Sequence, residues 1–322
     1  MRTTRRSLLA AVGLTALMSA CAAPTSVTGS AETDGTVSVG TLRGQPHLYT
    51  PYFYERFVPE GTEVEIVLFD SSTDIKNAVV SGAVDFGVAG APSALAGVAA
   101  GQDVRIVASS ADGGTGIVAT PEVQAPGDLV GKRIGYPRGA SQEILLKLAL
   151  DAQGIDPDAD VELVNLPFSD MADAMATGQI DAFSSAELGP SIARLAGAHD
   201  VLDPYGSPVG RVNIVLMTTA ATIEESPAIV QDVVDAHVRA TDLMVEDPQE
   251  WVDGVVDTFG IDRAVVETSV RNIWPRSDLS QEYRDQVSAL ADEMVAFDQL
   301  PSLPDREAVF DTTFVEASGS SA

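Results

Sequence analysis

Arg43, Arg138 and Arg211 stand on or beside short loops of small residues, where a guanidinium can donate charge-assisted hydrogen bonds to an anionic group. The competing reading for each is a solvated surface charge, the usual state of an arginine on an acidic protein. Three loops share one pattern, an apolar run that ends in small residues and starts a helical stretch. They are 41–47, with Thr41, Arg43, Gln45 and His47; 90–93, opened by Gly90 and Ala91; and 139–142, Gly139-Ala140-Ser141-Gln142. In an open α/β sheet such loops lie at the carboxyl ends of strands, and helix starts there expose unpaired N–H groups and partial positive charge. The pattern predicts a site for a small solute with an anionic or strongly accepting group. Tyr49, Tyr136 and Phe168 are candidates to flank an apolar or aromatic part of it, with core packing the competing role for Phe168.

Catalytic chemistry has no comparable pattern. His47, His199 and His237 are far apart and lack a carboxylate or cysteine at ligand spacing, so no metal site is expected. There is no Gly-x-Ser-x-Gly elbow and no Walker loop, and the glycines of 110–116 lead into another apolar run where a dinucleotide fingerprint needs a helix. No enzyme activity and no cofactor are expected.

The elements that must position these loops come in two similar sets. Ala78 to Phe86 passes from an apolar helical stretch through Ser81-Gly82 to Val84-Asp85-Phe86; Ala174 to Phe183 repeats this as Thr177-Gly178 and Ile180-Asp181, then Ala182-Phe183. Each reads as helix, tight turn and buried strand, the glycine closing the helix. Two α/β lobes built alike follow. Expected strands are 36–40, 63–69, 84–88, 104–109, 161–166 and 180–183, with 110–116 crossing between lobes and 212–217 carrying the chain back. Pro46 opens an expected helix with Tyr52, Phe53 and Phe57; Ser71 begins a capping box with Asp74, and Ser169 caps the helix that ends at Gly178. Beyond Thr218 the pattern is helical, with Trp251, Phe259, Ile273, Trp274, Leu290, Met294 and Phe297 as core candidates. The expected division is 36–112 with 218–316 as lobe 1, 113–217 as lobe 2, and 317–322 as a frayed tail.

The 322 residues carry 47 acidic and 19 basic side chains, a formal charge of −28, which opposes binding to nucleic acid. Residues 1–21 read as an export signal: Arg2, Arg5 and Arg6 precede an apolar run from Leu8 to Met18 that is too short to span a bilayer. Met18-Ser19-Ala20-Cys21 resembles a bacterial lipobox, and Thr4-Arg5-Arg6-Ser7-Leu8-Leu9 a twin-arginine signal. Cys21 is the single cysteine and the expected lipidation site, followed by a flexible tether at 22–35.

Taken together, Gly82 to Gly90, Asp128-Leu129-Val130-Gly131-Lys132-Arg133-Ile134-Gly135, Gly139-Ala140-Ser141 and Gly178-Gln179-Ile180-Asp181-Ala182 resemble the solute-binding lipoproteins of ABC importers. The similarity is to their nitrate/sulfonate/taurine and thiamine-precursor branch. It covers roughly 36–219, and the helical remainder weakly. The resemblance implies an α/β, two-lobe type II periplasmic-binding-protein fold with two crossing strands and a helical C-terminal region. It also implies a monomer, anchored by lipid to the outer face of the cytoplasmic membrane, that delivers a small solute to a membrane permease. By position it adds Ser109 to Asp112 and Ala186-Glu187 to the ligand loops. Where many relatives place an aromatic residue before Glu-Pro, this chain has Ser185-Ala186-Glu187-Leu188-Gly189-Pro190, which leaves Glu187 to accept from a ligand donor. Two alternatives share the fold: a pyrimidine-synthase-like enzyme and a lipoprotein sensor.

Overall fold

The computed structural model describes residues 35–319; the export signal, Cys21 and all of the tether but Gly35 lie outside the described residues, as do 320–322. The chain builds β1 (Gly35–Leu42), β2 (Thr62–Phe69), α1 (Ser72–Ser81), β3 (Phe86–Gly90), α2 (Ala91–Ala99) and β4 (Arg105–Gly113). It then crosses into β5 (Thr115–Ala119), β6 (Arg133–Tyr136), α3 (Ser141–Ala152), β7 (Glu162–Asn165), α4 (Met171–Ala176), β8 (Ala182–Ala186), α5 (Gly189–Leu195) and β9 (His199–Leu202). It returns through β10 (Ile214–Thr218) to α6 (Ala220–Glu225), α7 (Pro227–Glu246), α8 (Pro248–Phe259), α9 (Arg263–Val270), β11 (Ile273–Pro275), α10 (Gln281–Ala296), α11 (Arg306–Val309) and α12 (Thr313–Ala317).

One sheet has the order β11-β4-β10-β3-β1-β2 and the other β7-β6-β8-β5-β9. The runs β2-β1-β3-β10-β4 and β7-β6-β8-β5-β9 are alike: two parallel pairs, then two antiparallel ones. In both, the first antiparallel strand is the one that has just crossed from the other lobe. The fold is the expected two-lobe α/β architecture with crossing strands and a helical C-terminal region. β10 pairs only within the first sheet, so residues 214–217 belong with that sheet although the sequence division counts them in the second lobe.

The sequence repeat does the same work twice. Gly82 and Gly178 both have φ of 71°, the left-handed turn that ends a helix and that glycine adopts without steric cost. The N–H groups of Ala83 and Val84 then return to the Ala78 carbonyl, and those of Gln179 and Ile180 to the Ala174 carbonyl. β3 and β8 each begin two residues later than the apolar pattern predicts: Val84 and Ile180 still close the helix, and the N–H groups of Asp85 and Asp181 make the first bonds to the neighbouring strands, at the Ser38 and Arg133 carbonyls. Asp85 Oδ2 accepts from the Ser38 N–H and hydroxyl at 2.8 and 2.7 Å; Asp181 accepts from the Arg133 N–H at 3.0 Å and from its guanidinium. Each carboxylate thus fastens the start of one parallel strand to its neighbour.

Other expectations are corrected. The stretch after Pro46 forms 3₁₀ turns at Pro46–Leu48 and Thr50–Arg56, because Pro51 has no N–H to continue an α-helical ladder. The Ser169 hydroxyl donates to the Asp170 carboxylate and caps nothing, since Phe168–Asp170 is itself a 3₁₀ turn ahead of α4. Trp274 is 37 % exposed on the edge strand β11, its ring covered by the Arg211 guanidinium at 4.0 Å. Ala317 closes α12 where the frayed tail was to begin. The Ser71 cap is as predicted, its Oγ accepting from the Asp74 N–H.

Candidate functional site

A cavity of about 120 Å³ opens where the carboxyl ends of strands from both sheets meet, room for several waters or one small molecule. The first lobe contributes Gln45, His47, Ser71, Gly90 and Ser93; the second contributes Arg138, Gly139, Ala140, Ser141, Gln142 and Phe168. The 139–142 loop therefore stands where the sequence puts it. It ends in α3, whose N-cap residue Ala140 has no side chain with which to cap the helix; the Glu143 N–H donates to the Ala140 carbonyl at 3.1 Å, which leaves those of Ser141 and Gln142, both in the cavity lining, without a side-chain acceptor. The N–H of Gly139 is held by Glu143 Oε2 at 2.7 Å, which fixes the loop.

His47 is 3 % exposed, and its Nδ1 has no hydrogen-bond partner; the Gln45 Oε1 is likewise buried and unpartnered. Burial lowers the His47 pKa to about 3, so the ring is neutral in the physiological range. Arg138 lies at the exposed mouth, its guanidinium 3.2 Å from the Tyr136 hydroxyl. Asp70, the other charge at the mouth, has a side chain 90 % exposed.

Several sequence-predicted positions lie outside this lining. Thr41 is inside strand β1, its hydroxyl donating to the Leu48 carbonyl at 2.9 Å, and the Ala91 N–H is taken by the Asn213 carbonyl at 2.8 Å. Arg43 points to solvent near Asp70 at 3.8 Å. Ser109 spends its hydroxyl on the Asp278 carbonyl at 2.6 Å and its own carbonyl on His237 Nε2 at 2.7 Å. Asp112 is buried against the Arg276 guanidinium at 2.6 Å; burial pushes its pKa up and Arg276 pulls it back. Glu187 is fully buried and has four partners, Arg194 at 2.7 Å, the Ser191 hydroxyl at 2.6 Å, the Ser191 N–H and Asn272. Its expected role as a ligand acceptor is corrected on that ground: the carboxylate already holds the start of α5 and ties it to Asn272. Among the aromatic candidates, Phe168 lines the cavity, whereas Tyr49 stacks on Tyr52 at 4.6 Å within the core. Arg211, over Trp274, is also outside.

Asn213 was missed by the sequence reading and is central. Its Nδ2 donates to the Gly113 carbonyl at 2.6 Å and its Oδ1 accepts from the Ser141 hydroxyl at 3.1 Å, so one side chain joins both crossing segments to the start of α3. A buried polar residue opening the apolar run 212–217 is the signal that could have found it. Ser71 to Thr73 line the cavity as well; they follow the end of β2 and start a helix, the same pattern that singled out the other loops. The crossing itself needs glycine. Gly113 has φ of 75°, and a Cβ there would stand 2.4 Å from the Trp274 ring and 2.7 Å from the Asn272 carbonyl oxygen.

Two lobes of this topology with a solvent-sized cavity between them define a solute-binding protein of the periplasmic-binding-protein fold. The chain belongs to the NMT1/THI5-like family, whose model matches residues 53–251. It is 31% identical over 202 residues to the taurine-binding periplasmic protein of Escherichia coli (strain K12), covering 60% of this chain and 61% of that one. It is 27% identical over 209 residues to the formylaminopyrimidine-binding protein of Halalkalibacterium halodurans, covering 60% of each. The fold matches the alkanesulfonate-binding protein SsuA from Xanthomonas axonopodis pv. citri, solved bound to MOPS, with a TM-score of 0.74 and 24% identity over 86% of this chain and 98% of that one.

Proposed function

We propose that this protein captures a small organic anion of the sulfonate type between its lobes and presents it to the permease of an ABC importer. The observation that carries this reading is the start of α3, where Ala140 leaves first-turn N–H groups without a side-chain cap in a cavity walled by both lobes. Such a terminus attracts negative charge through its donors and its dipole. A ligand touching both lobes binds the closed state better than the open one, and that difference is what shifts the population. The relatives named for taurine and alkanesulfonates support the anionic class, and the one named for formylaminopyrimidine supports a polar or heteroaromatic remainder. Because relatives are named as binding proteins, a non-catalytic role is the reading they favour.

The proposal includes export, a lipid anchor at Cys21, and action as a monomer. The proposal also takes 36–112 with 218–316 as one lobe and 113–213 as the other, with β10 assigned to the sheet in which it pairs. Mass spectrometry of the mature N terminus tests the anchor, which requires an acylated Cys21. For the site, denaturant unfolding of the purified protein is measured with and without a panel of sulfonates. A true solute at a hundredfold excess over its Kd adds about 3 kcal/mol to stability, and a panel that adds nothing refutes the sulfonate reading.

A further inference from the structure

The cavity's charges are all at its mouth. Among the lining residues Asp70 and Arg138 are ionised, and both are exposed; His47, deep in the wall, is neutral because burial lowers its pKa to about 3. His47 also lies against the hinge, its Cγ 3.5 Å from where a Cβ on Gly114 would stand. The buried wall therefore carries two neutral polar side chains, Gln45 and His47, whose Oε1 and Nδ1 have no partner, and no carboxylate.

A buried polar atom without a partner costs roughly 1–3 kcal/mol, a cost that a solute bonding to these two side chains relieves. An ammonium placed there would lose its hydration with no counter-charge, which costs more than any neutral hydrogen bond returns. A hydroxyl meets both needs, because it donates and accepts at once and so suits either tautomer of His47 and either orientation of the Gln45 amide.

We infer that Gln45 and His47 form the specificity wall of the cavity, selecting anions whose second polar group is uncharged, a hydroxyl or a heterocyclic or amide N–H, over anions that carry an ammonium. The inference rests on the sulfonate reading above and narrows it. It sets this chain apart from its relative named for taurine, whose ligand carries an amine.

The test is calorimetric titration of the full chain with a matched pair, 2-hydroxyethanesulfonate and 2-aminoethanesulfonate. The hydroxyl compound is expected to bind at least tenfold tighter. In Gln45→Glu, which adds the missing carboxylate, the ratio should move at least tenfold toward the amine. If both compounds bind the native protein and the amine binds equally well or better, the inference is overturned and the sulfonate reading stands. Binding of neither compound, where another sulfonate of the panel binds, overturns the inference alone; a panel in which none binds overturns both. An unchanged ratio in a folded Gln45→Glu protein also overturns the inference, since the second polar group would then lie elsewhere; if that variant does not fold, the native ratio decides.

Discussion

His237 is the second neutral imidazole, and its job is different from that of His47. It is fully buried on α7; its Nε2 donates to the Ser109 carbonyl at 2.7 Å, so its Nδ1 must accept from the Tyr54 hydroxyl at 2.6 Å. That pair of bonds joins α7, the 3₁₀ turn and β4 beneath the cavity. Burial lowers its pKa to about 4. The unfolded chain therefore takes up a proton first as pH falls, and stability drops as pH goes from about 6.5 toward 4. At about 1.4 kcal/mol per pH unit, His237 removes about 2 kcal/mol between pH 6.5 and 5. In His237→Phe the Tyr54 hydroxyl and the Ser109 carbonyl each lose the hydrogen bond to α7, so stability at pH 7 falls by roughly 2–3 kcal/mol, while the decline from pH 6.5 to 5 becomes shallower by the histidine's share. Urea unfolding at the two pH values measures both effects; an unchanged slope would show that His237 protonates freely. At this scale the sequence was readable only where loop pattern alone decides. Gln45, His47 and the 139–142 loop follow strand ends and line the cavity; Ser109 and Asp112 lie within β4 and Glu187 just after β8, and their side chains turn inward to Asp278, Arg276 and Arg194. Nothing adjacent in sequence records those partners.

The repeated helix, glycine and strand were the most legible elements, because a left-handed glycine and the aspartate that fastens the next strand leave a fixed spacing. Asp85 and Asp181 look alike in the sequence and act alike in the fold, whereas strand limits were off by two residues for a reason that only the closing hydrogen bonds reveal. The 3₁₀ turns after Pro46 were hidden for the opposite cause: aromatic residues at helical spacing read as an amphipathic helix until Pro51 is counted as a missing donor. Gly82 and Gly178 allow a clean comparison, since a Cβ at either meets nothing within 4 Å. Gly82→Ala and Gly178→Ala should therefore each cost only the backbone term of a left-handed residue, about 1–2 kcal/mol. Thermal or denaturant unfolding of the two variants should give similar losses, and a loss well above this range in one would mean that its lobe tolerates no shift at the turn.

Across the whole molecule, α3 belongs to both lobes. Ile144 and Leu145 are part of the larger core, and Leu146, Ala149 and Leu150 part of a core in the second lobe. The same helix makes polar contacts to the segment after α10. Gln299 Nε2 donates to Glu143 Oε2 at 2.8 Å, and the Lys147 ammonium lies 5.2 Å from the centre of the Phe297 ring. Between these two residues Asp298 has φ of 57°, the single positive-φ residue other than glycine among the described residues, a strained conformation that surroundings must hold in place. Glu143 Oε2 also fixes the Gly139 N–H at the cavity, so this clasp communicates with the ligand loop while lying outside the lining. One hydrogen bond to a charged group is worth about 1.5–3 kcal/mol in a well-formed setting, and less here because Gln299 is partly solvated. Gln299→Ala should consequently raise the solute's dissociation rate by about threefold to tenfold, each tenfold corresponding to about 1.4 kcal/mol, with little change in association rate. Stopped-flow kinetics with the best-binding sulfonate reads both constants. A lowered melting temperature with an unchanged dissociation rate would make the clasp part of the fold's stability and not of its closure.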